Sequence, residues 1–248
     1  MKNSWDDTRE EIREVFNDAV RVGKGNILIP AFAVGRTQEI LFLFAKYYDE
    51  WGVAPWRIFL DSPMAIEATE AYANNSQLFD AESRQLWQRH QQHPLLPNLS
   101  MTRTAEESMQ LNRIRSGAII IAGSGMCTGG RNKHHLKHNL WRRECQVVIV
   151  GFQAQGTLGR ALVDGRSHVR LWGETIRVAA KIHTVGGLSA HADQKALSRW
   201  YGGFRKRPPL TLVHGEANST EALAQHLRET LNAPVTVATA AMRIDLFS

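Results

Sequence analysis

Cysteine is almost missing from this chain of 248 residues: Cys127 and Cys145 are the two it has, in no C-x-x-C spacing. Two thiols cannot staple a fold of this length, so a disulfide scaffold is excluded and reduced thiols in a cytoplasm are expected. Long apolar runs are also missing. The longest, such as Ile27–Pro30 and Ile119–Ala122, are strand-length and far short of the ~20 residues that cross a bilayer, so no membrane partner is expected. The opening Met1-Lys2-Asn3-Ser4-Trp5-Asp6-Asp7 turns polar and acidic at once, which reads as no signal peptide. There is no internal repeat and no low-complexity tract, and His90-Gln91-Gln92-His93-Pro94 is read as a polar loop. Acidic residues are in modest deficit: Lys+Arg 30 against Asp+Glu 24 gives a formal charge of +6 and a pI near 9.6. That surplus suits a phosphate-lined groove or simply a soluble surface.

At 43% hydrophobic and 22% charged, the composition is that of a globular protein and excludes disordered and fibrous classes. The length suits one large α/β domain or one domain with an appendage. Asn3 or Ser4 is placed to cap a helix reaching about Val22, with Ile12, Val15, Phe16, Ala19 and Val20 on its apolar face. An alternation follows: strand Asn26–Pro30, helix Arg36–Asp49, strand Arg57–Leu60, helix Met64–Ala73 and a polar helix Asp80–Gln91. Then come helix Ala105–Arg115, strand Ala118–Ala122, a helix opening near Gly130 and strand Gln146–Val150. Such alternation predicts a Rossmann-like parallel or mixed sheet with helices on both faces. Val169–Trp172 and Thr175–Val178 read as a hairpin around Gly173-Glu174, and Gly186-Gly187-Leu188-Ser189 as a boundary. Helix Gln194–Trp200, strand Leu210–Val213, helix Ser219–Leu231 and strand Val235–Ala238 complete the reading.

Three clusters carry candidate chemistry. Ala122-Gly123-Ser124-Gly125-Met126-Cys127-Thr128-Gly129-Gly130-Arg131 runs from a strand into a helix. Its backbone N–H groups and the Arg131 fork make a phosphate cradle, or else a strand-to-helix turn with no ligand. It lacks the Lys-Ser/Thr ending of a P-loop and the G-x-G-x-x-G order of a dinucleotide site, and Ala122 disfavours a G-x-S-x-G nucleophile elbow. In the following helix His134 and His138 share a face, either as two zinc ligands or, with Lys133 and Lys137, as a basic groove lining or a solvated face; His135 lies between them. The other clusters are Gly187-Leu188-Ser189-Ala190-His191-Ala192-Asp193 and Leu212-Val213-His214-Gly215-Glu216. His214 stands at a strand end, where open α/β sheets build sites, and His191 and His214 bracket one helix; singly, each is as well read as structural. Ser189, His191 and Asp193 are too close in sequence to form a nucleophilic triad. Arg36 and Ser62 also follow strands of the same sheet, as site residues or as a surface charge and a helix cap.

Six blocks in order carry a resemblance: Ile29 through Glu39 (Ile-Pro-Ala-Phe-Ala-Val-Gly-Arg-Thr-Gln-Glu), Asp61-Ser62-Pro63-Met64-Ala65, Gly125-Met126 through Gly129-Gly130-Arg131, Gly151-Phe152 through Gly156-Thr157-Leu158, Ser189-Ala190-His191-Ala192-Asp193 and Val213-His214-Gly215-Glu216. The chain resembles the β-CASP nucleases, RNA-processing enzymes of the metallo-β-lactamase fold. The resemblance implies a β-CASP domain over 1–187, with a lead-in helix 1–22, and over 188–248 a C-terminal piece of an αββα metallo-β-lactamase core. It implies His191 as general acid and His214 as zinc ligand. Arg36, Ser62, Ser124, Gly125, Gly129, Gly130, Arg131 and His134 would then grip RNA phosphates, with Ser189, Asp193 and Glu216 supporting. The complete family enzyme holds two zinc ions, through an upstream H-x-H-x-D-H motif among other ligands, and this chain contains no H-x-H. The expectation is therefore part of a zinc-dependent ribonuclease, inactive and zinc-free by itself. Its expected partners are single-stranded RNA, a complementing N-terminal half or a second copy of the chain. The alternative is a non-catalytic nucleic-acid-binding or interaction module.

Overall fold

A computed structural model describes residues 5–23, 25–89, 96–188 and 191–244, and the chain divides into two compact units, 3–189 and 190–248. In the larger unit, strands β1 (Ile27–Pro30), β2 (Arg57–Leu60), β3 (Leu99–Met101), β4 (Ala118–Ala122) and β5 (Gln146–Ile149) precede a hairpin of β6 (His168–Leu171) and β7 (Glu174–Arg177), and β8 (Lys181–Thr184) follows it. All but the hairpin join one sheet in the order β3-β2-β4-β1-β5-β8, and every pairing in it is parallel. β1, β4 and β5 are buried at every position, as strands covered on both faces must be, so they read as unbroken apolar runs.

Alternate residues of these strands serve two cores. Ile27, Ile29, Ile58, Leu60, Ile119, Ile121 and Val148 pack with α1 (Trp5–Arg21) and α2 (Arg36–Lys46), through Ile12, Val15, Phe16, Ile40, Leu41 and Phe44. Leu28, Val147 and Ile149 point the other way, onto Leu136 and Leu140 of α6 (Asn132–Asn139), Leu162 of α7 (Leu158–Val163), and Val169 and Leu171 of β6. Between these lie α3 (Pro63–Asn74), α4 (Ala81–Arg89) and α5 (Ala105–Leu111). The α/β class with a helix-flanked parallel sheet is thus present. The smaller unit runs α8 (Gln194–Gly202), β9 (Leu210–Leu212), α9 (Ala217–Leu231) and β10 (Val235–Val237), with β9 and β10 parallel and Tyr201, Ala224, Leu227, Ala233 and Val235 as its core. No helix among the described residues is long and apolar enough to cross a membrane.

Several local expectations are corrected. Val20 is 63% exposed, because the apolar stripe of α1 is carried by Ile12, Val15, Phe16 and Ala19 alone. The helix expected to reach Arg115 ends at Leu111, and the one expected to reach Asp49 ends at Lys46. β3, α7 and β8 were not expected. The hairpin turns at Trp172-Gly173, one residue earlier than read, with Leu171 opposite Glu174. Both turn residues have positive φ, 48° and 83°, as the mirror-image two-residue turn requires. The cap residues Asn3 and Ser4, the loop His90 to Pro94 and the boundary residue Ser189 lie outside the described residues.

Candidate functional site

Parallel pairing brings the loops after β1, β2, β4 and β5 to one edge of the sheet, where open α/β proteins place their sites. The loop after β1 ends in Arg36, whose guanidinium pairs with Glu39 one turn on, so its charge is met within α2. Gln38, buried, fastens this loop to α3: its Nε2 donates to the carbonyls of Ala33 (3.1 Å) and Ala65 (3.3 Å) and to Thr69 Oγ1 (2.9 Å). After β2, Ser62 caps α3 by accepting from the Ala65 N–H at 3.3 Å.

The glycine loop after β4 is folded partly upon itself. Ser124 Oγ accepts from the N–H groups of Thr128 (3.0 Å) and Gly129 (3.2 Å). The N–H groups of Ser124, Cys127 and Asn132 bond to carbonyls of Gly129, Ser124 and Gly123. The cradle is narrower than four glycines suggest: among the described residues, the N–H groups of Gly125, Met126, Gly130 and Arg131 have no protein acceptor. Gly130 has φ +65°, and a Cβ there would stand 2.5 Å from the Gly123 carbonyl, so the closed loop depends on glycine. Gly125 faces the Phe32 ring, whose Cδ2 would be 2.9 Å from an added Cβ; Gly129 has nothing within 4 Å. Cys127 is buried here, and burial pushes its thiol up to about 12, which removes it as a nucleophile.

Arg131 is not the open fork the sequence suggests. Its Nη1 donates to Asp61 Oδ1 (2.8 Å) and the Thr102 carbonyl (3.0 Å), and its Nη2 to the Arg103 carbonyl (2.9 Å). Asp61, fully buried after β2, also accepts from Thr102 Oγ1 (2.8 Å), Ser108 Oγ (2.6 Å) and His135 Nε2 (2.5 Å). Burial pushes the Asp61 carboxyl up, but the bonds from His135, Ser108 and Thr102 outweigh it and hold the group below the usual carboxylate range. This hub ties β2, α5 and α6 together and anchors the end of the glycine loop. The sequence pattern marks Asp61 only as a carboxylate at a strand-to-helix connection, with no partner, and gives His135 no role. The loop after β5 is joined in the same way by Gln153, whose Nε2 donates to the carbonyls of Gly125 (3.0 Å), Gly151 (3.1 Å) and Phe152 (3.1 Å).

His134 lies apart from the glycine loop. It is exposed on α6 and stacks on Trp172, with ring centroids 4.5 Å apart. His138 is exposed too, and partial burial beside Lys137 depresses its basicity. In the smaller unit His191 is exposed ahead of α8, and Asp193 caps that helix through the Ala196 N–H at 2.8 Å. His214 is exposed just past β9 with φ 59°, and Glu216 is the N-cap residue of α9. Ser189 is outside the described residues. Among the described residues no group of three or more His, Cys, Asp or Glu could hold a metal ion. The residues present therefore do not fit a two-zinc centre, nor a zinc site on His134 and His138.

Comparison with known proteins agrees in outline. A sequence-family model described as the Beta-Casp domain matches residues 37–162, and one described as the Zn-dependent metallo-hydrolase RNA specificity domain matches residues 175–238. The chain is 38% identical over 222 residues to Ribonuclease TTHA0252 of Thermus thermophilus, covering 89% of this chain and 50% of that protein. It is 31% identical over 238 residues to Transcription termination factor FttA of Thermococcus kodakarensis, covering 92% of this chain and 36% of that protein. The factor of the same name from Pyrococcus horikoshii is 30% identical over 226 residues, 88% of this chain and 34% of the factor. The chain thus spans between a third and a half of the curated relatives it matches.

Proposed function

The chain belongs to the Beta-Casp domain family, and on that premise we propose that it is part of a zinc-dependent RNA-cleaving metallo-hydrolase. In this reading residues 1–187 form the β-CASP domain, with 1–22 leading in, and residues 188–248 the C-terminal segment of the metallo-hydrolase core. The observation that carries it is the glycine loop at the carboxyl edge of the sheet. Its N–H groups at Gly125, Met126, Gly130 and Arg131 are without a protein acceptor among the described residues and are open to phosphate oxygens. Ser62, Ser124, Gly125, Gly129 and Gly130 contribute through this loop and its neighbour. Arg36 and Arg131, each already facing a carboxylate, contribute chiefly by holding the loops in place.

Zinc belongs to the reading through the family, and the donor set here is too small for it: His214 offers one nitrogen, and the other ligands would come from outside these 248 residues. The role left to this chain's own groups is proton transfer. His191 is the general acid that would protonate the leaving oxygen of the phosphodiester, with Asp193 fixing the start of α8 beside it and Glu216 at the N-cap position of α9, where its side chain makes no cap bond. The partner supplying the missing ligands is an N-terminal half carrying H-x-H-x-D-H; a second copy of the chain is the other candidate. The small donor set equally favours a second reading, a non-catalytic RNA-binding module.

The test is an RNA cleavage and metal assay on the chain with and without such a half. By itself the chain should retain no stoichiometric zinc after dialysis and cleave nothing; one or two equivalents held alone would overturn the proposal. With the half, cleavage should appear, and His191→Ala should slow it roughly 10²–10⁴-fold while keeping the metal. His214→Ala should lose metal and activity together. No cleavage with any complementing half would leave the binding module as the function.

A further inference from the structure

Trp172 occupies the turn of the β6–β7 hairpin and is 49% exposed, an unusual place for a large aromatic ring. It is held from one side. His134 stacks on it at 4.5 Å with the rings 34° apart, and the Nζ atoms of Lys133 and Lys137 lie 4.9 and 5.9 Å from its ring centroid. All three come from α6, so the indole is fixed against that helix and its remaining surface is open to solvent. Lys137 is also tied to Glu174 at 2.6 Å, which braces the hairpin on the helix.

The hairpin beside this ring is basic on its outward face. Val169 and Leu171 turn into the core. Their alternates, His168 opposite Arg177 and Arg170 opposite Thr175, are exposed. Among the described residues neither Arg170 nor Arg177 has a carboxylate within ion-pair distance, and neither does Lys133. A half-open indole with the unpaired Lys133 at its ring, on a hairpin that also exposes Arg170 and Arg177, is the combination that single-stranded nucleic acids use: a base stacks on the ring and the phosphates of the strand meet the cations.

We propose that Trp172, fixed by Lys133, His134 and Lys137 at the tip of a hairpin whose exposed face carries Arg170 and Arg177, is a base-stacking platform for single-stranded RNA, outside the glycine-loop site. The platform rests on the reading that the chain engages RNA, and gives that reading a second anchoring point. It requires no particular base, since every base offers a π-face, and so predicts affinity without strong sequence preference.

The test is equilibrium binding of the full chain to fluorescein-labelled oligo(U) and to an abasic phosphodiester strand of the same length, by fluorescence anisotropy. The variant is Trp172→Asn, because Asn-Gly is the dipeptide this turn type prefers, so the ring is removed without disturbing the hairpin; Trp172→Phe restores an aromatic face. Expected is a loss of oligo(U) affinity of roughly 5- to 150-fold for Trp172→Asn, the worth of one stacked base, with most of it recovered in Trp172→Phe and the abasic strand bound as before. Replacing Arg170 and Arg177 by Gln should make the log–log salt dependence shallower by about 0.7 for each phosphate that the two arginines neutralise. If the wild type binds oligo(U) and Trp172→Asn binds it within twofold, the platform is overturned and the function stands. If Trp172→Asn weakens both probes equally, stacking is overturned. If the wild type binds neither probe, the platform and the RNA reading fall together.

Discussion

Two polar assemblies flank α6 and share almost adjacent residues, yet they behave oppositely. On one side His135, Arg131 and Asp61 close into a hub in which Asp61 and His135 are fully buried and the carboxylate has four donors. On the other, His134, Lys133 and Lys137 gather round a half-exposed Trp172. The charges are of similar number; the difference is water. A buried charge is stable only when its partners are complete, so the hub is committed to holding the sheet edge together. An exposed cluster gains little from its internal pairs and stays available to a ligand. Removing a member of each should therefore damage different properties.

The largest stability effect belongs to the hub. Asp61→Ala takes the acceptor from His135 Nε2 and Ser108 Oγ, both buried, and the carboxylate from Arg131, which keeps only the Thr102 and Arg103 carbonyls, and should cost about 3–5 kcal/mol in urea unfolding. A cost below about 1 kcal/mol would show that water enters and that the contrast between the two sides is false. Next is the clamp that joins the glycine loop to the loop after β5. A Cβ at Gly159 would stand 1.6 Å from Gln153 Oε1, so Gly159→Ala must push the amide away from the three carbonyls it bonds. The expected loss is about 1–3 kcal/mol. It should shrink in the Gln153→Ala background, where only the Met126 carbonyl, 3.2 Å from the added Cβ, remains close, and a double-mutant cycle measures this coupling directly.

A smaller, pH-dependent effect is expected where α1 meets the sheet. His183 on β8 is depressed by burial and by Lys181, against the opposing pull of Asp18, whose Oδ2 is 3.9 Å from its Nε2. The Gln146 amide, oriented so that its oxygen accepts from the Ala19 N–H, donates to His183 Nε2 at 2.7 Å, which favours the neutral ring. Since the unfolded chain then takes the proton first, the contribution is complete above the ordinary histidine pKa of about 6.5 and is lost as the pH falls through it. His183→Gln should flatten the stability profile between about pH 7 and 5; an unchanged profile would assign that slope to other groups.

β1, β4 and β5 were readable because burial on both faces leaves a continuous apolar run, as in Ala118-Ile119-Ile120-Ile121-Ala122. β8, Lys181-Ile182-His183-Thr184, was not, since an edge strand needs only half its residues apolar and these sit among polar ones. α7 was hidden by Gly159, a helix breaker by propensity that is retained because Gln153 lies against it. In the site, the glycine loop announced itself by composition. The hub did not: His134 and His135 are neighbours with the same local sequence, and only the packing of α6 on the sheet decides that one is exposed and the other buried. Arg131 looked like an open cation for the same reason, its carboxylate partner being 70 residues away in sequence.

The smallest stability effect sharpens the comparison most. Trp172 has φ 48° in a turn where a residue with a bulky side chain is disfavoured and Asn is preferred. Its ring makes cation–π and stacking interactions only at the surface, each worth about 0.5–1 kcal/mol at exposed sites. Replacing it by Asn removes those interactions and relieves the backbone, and the two changes oppose one another. Trp172→Asn should therefore leave the unfolding free energy within about 0.5 kcal/mol of wild type, as ordinary surface substitutions do. Measured alongside Asp61→Ala, it separates a residue that holds the fold from one available for binding. A destabilisation of about 2 kcal/mol or more, well outside the surface range, would mean that the indole is a structural plug between α6 and the hairpin. The open side of α6 would then be no more available than the closed one.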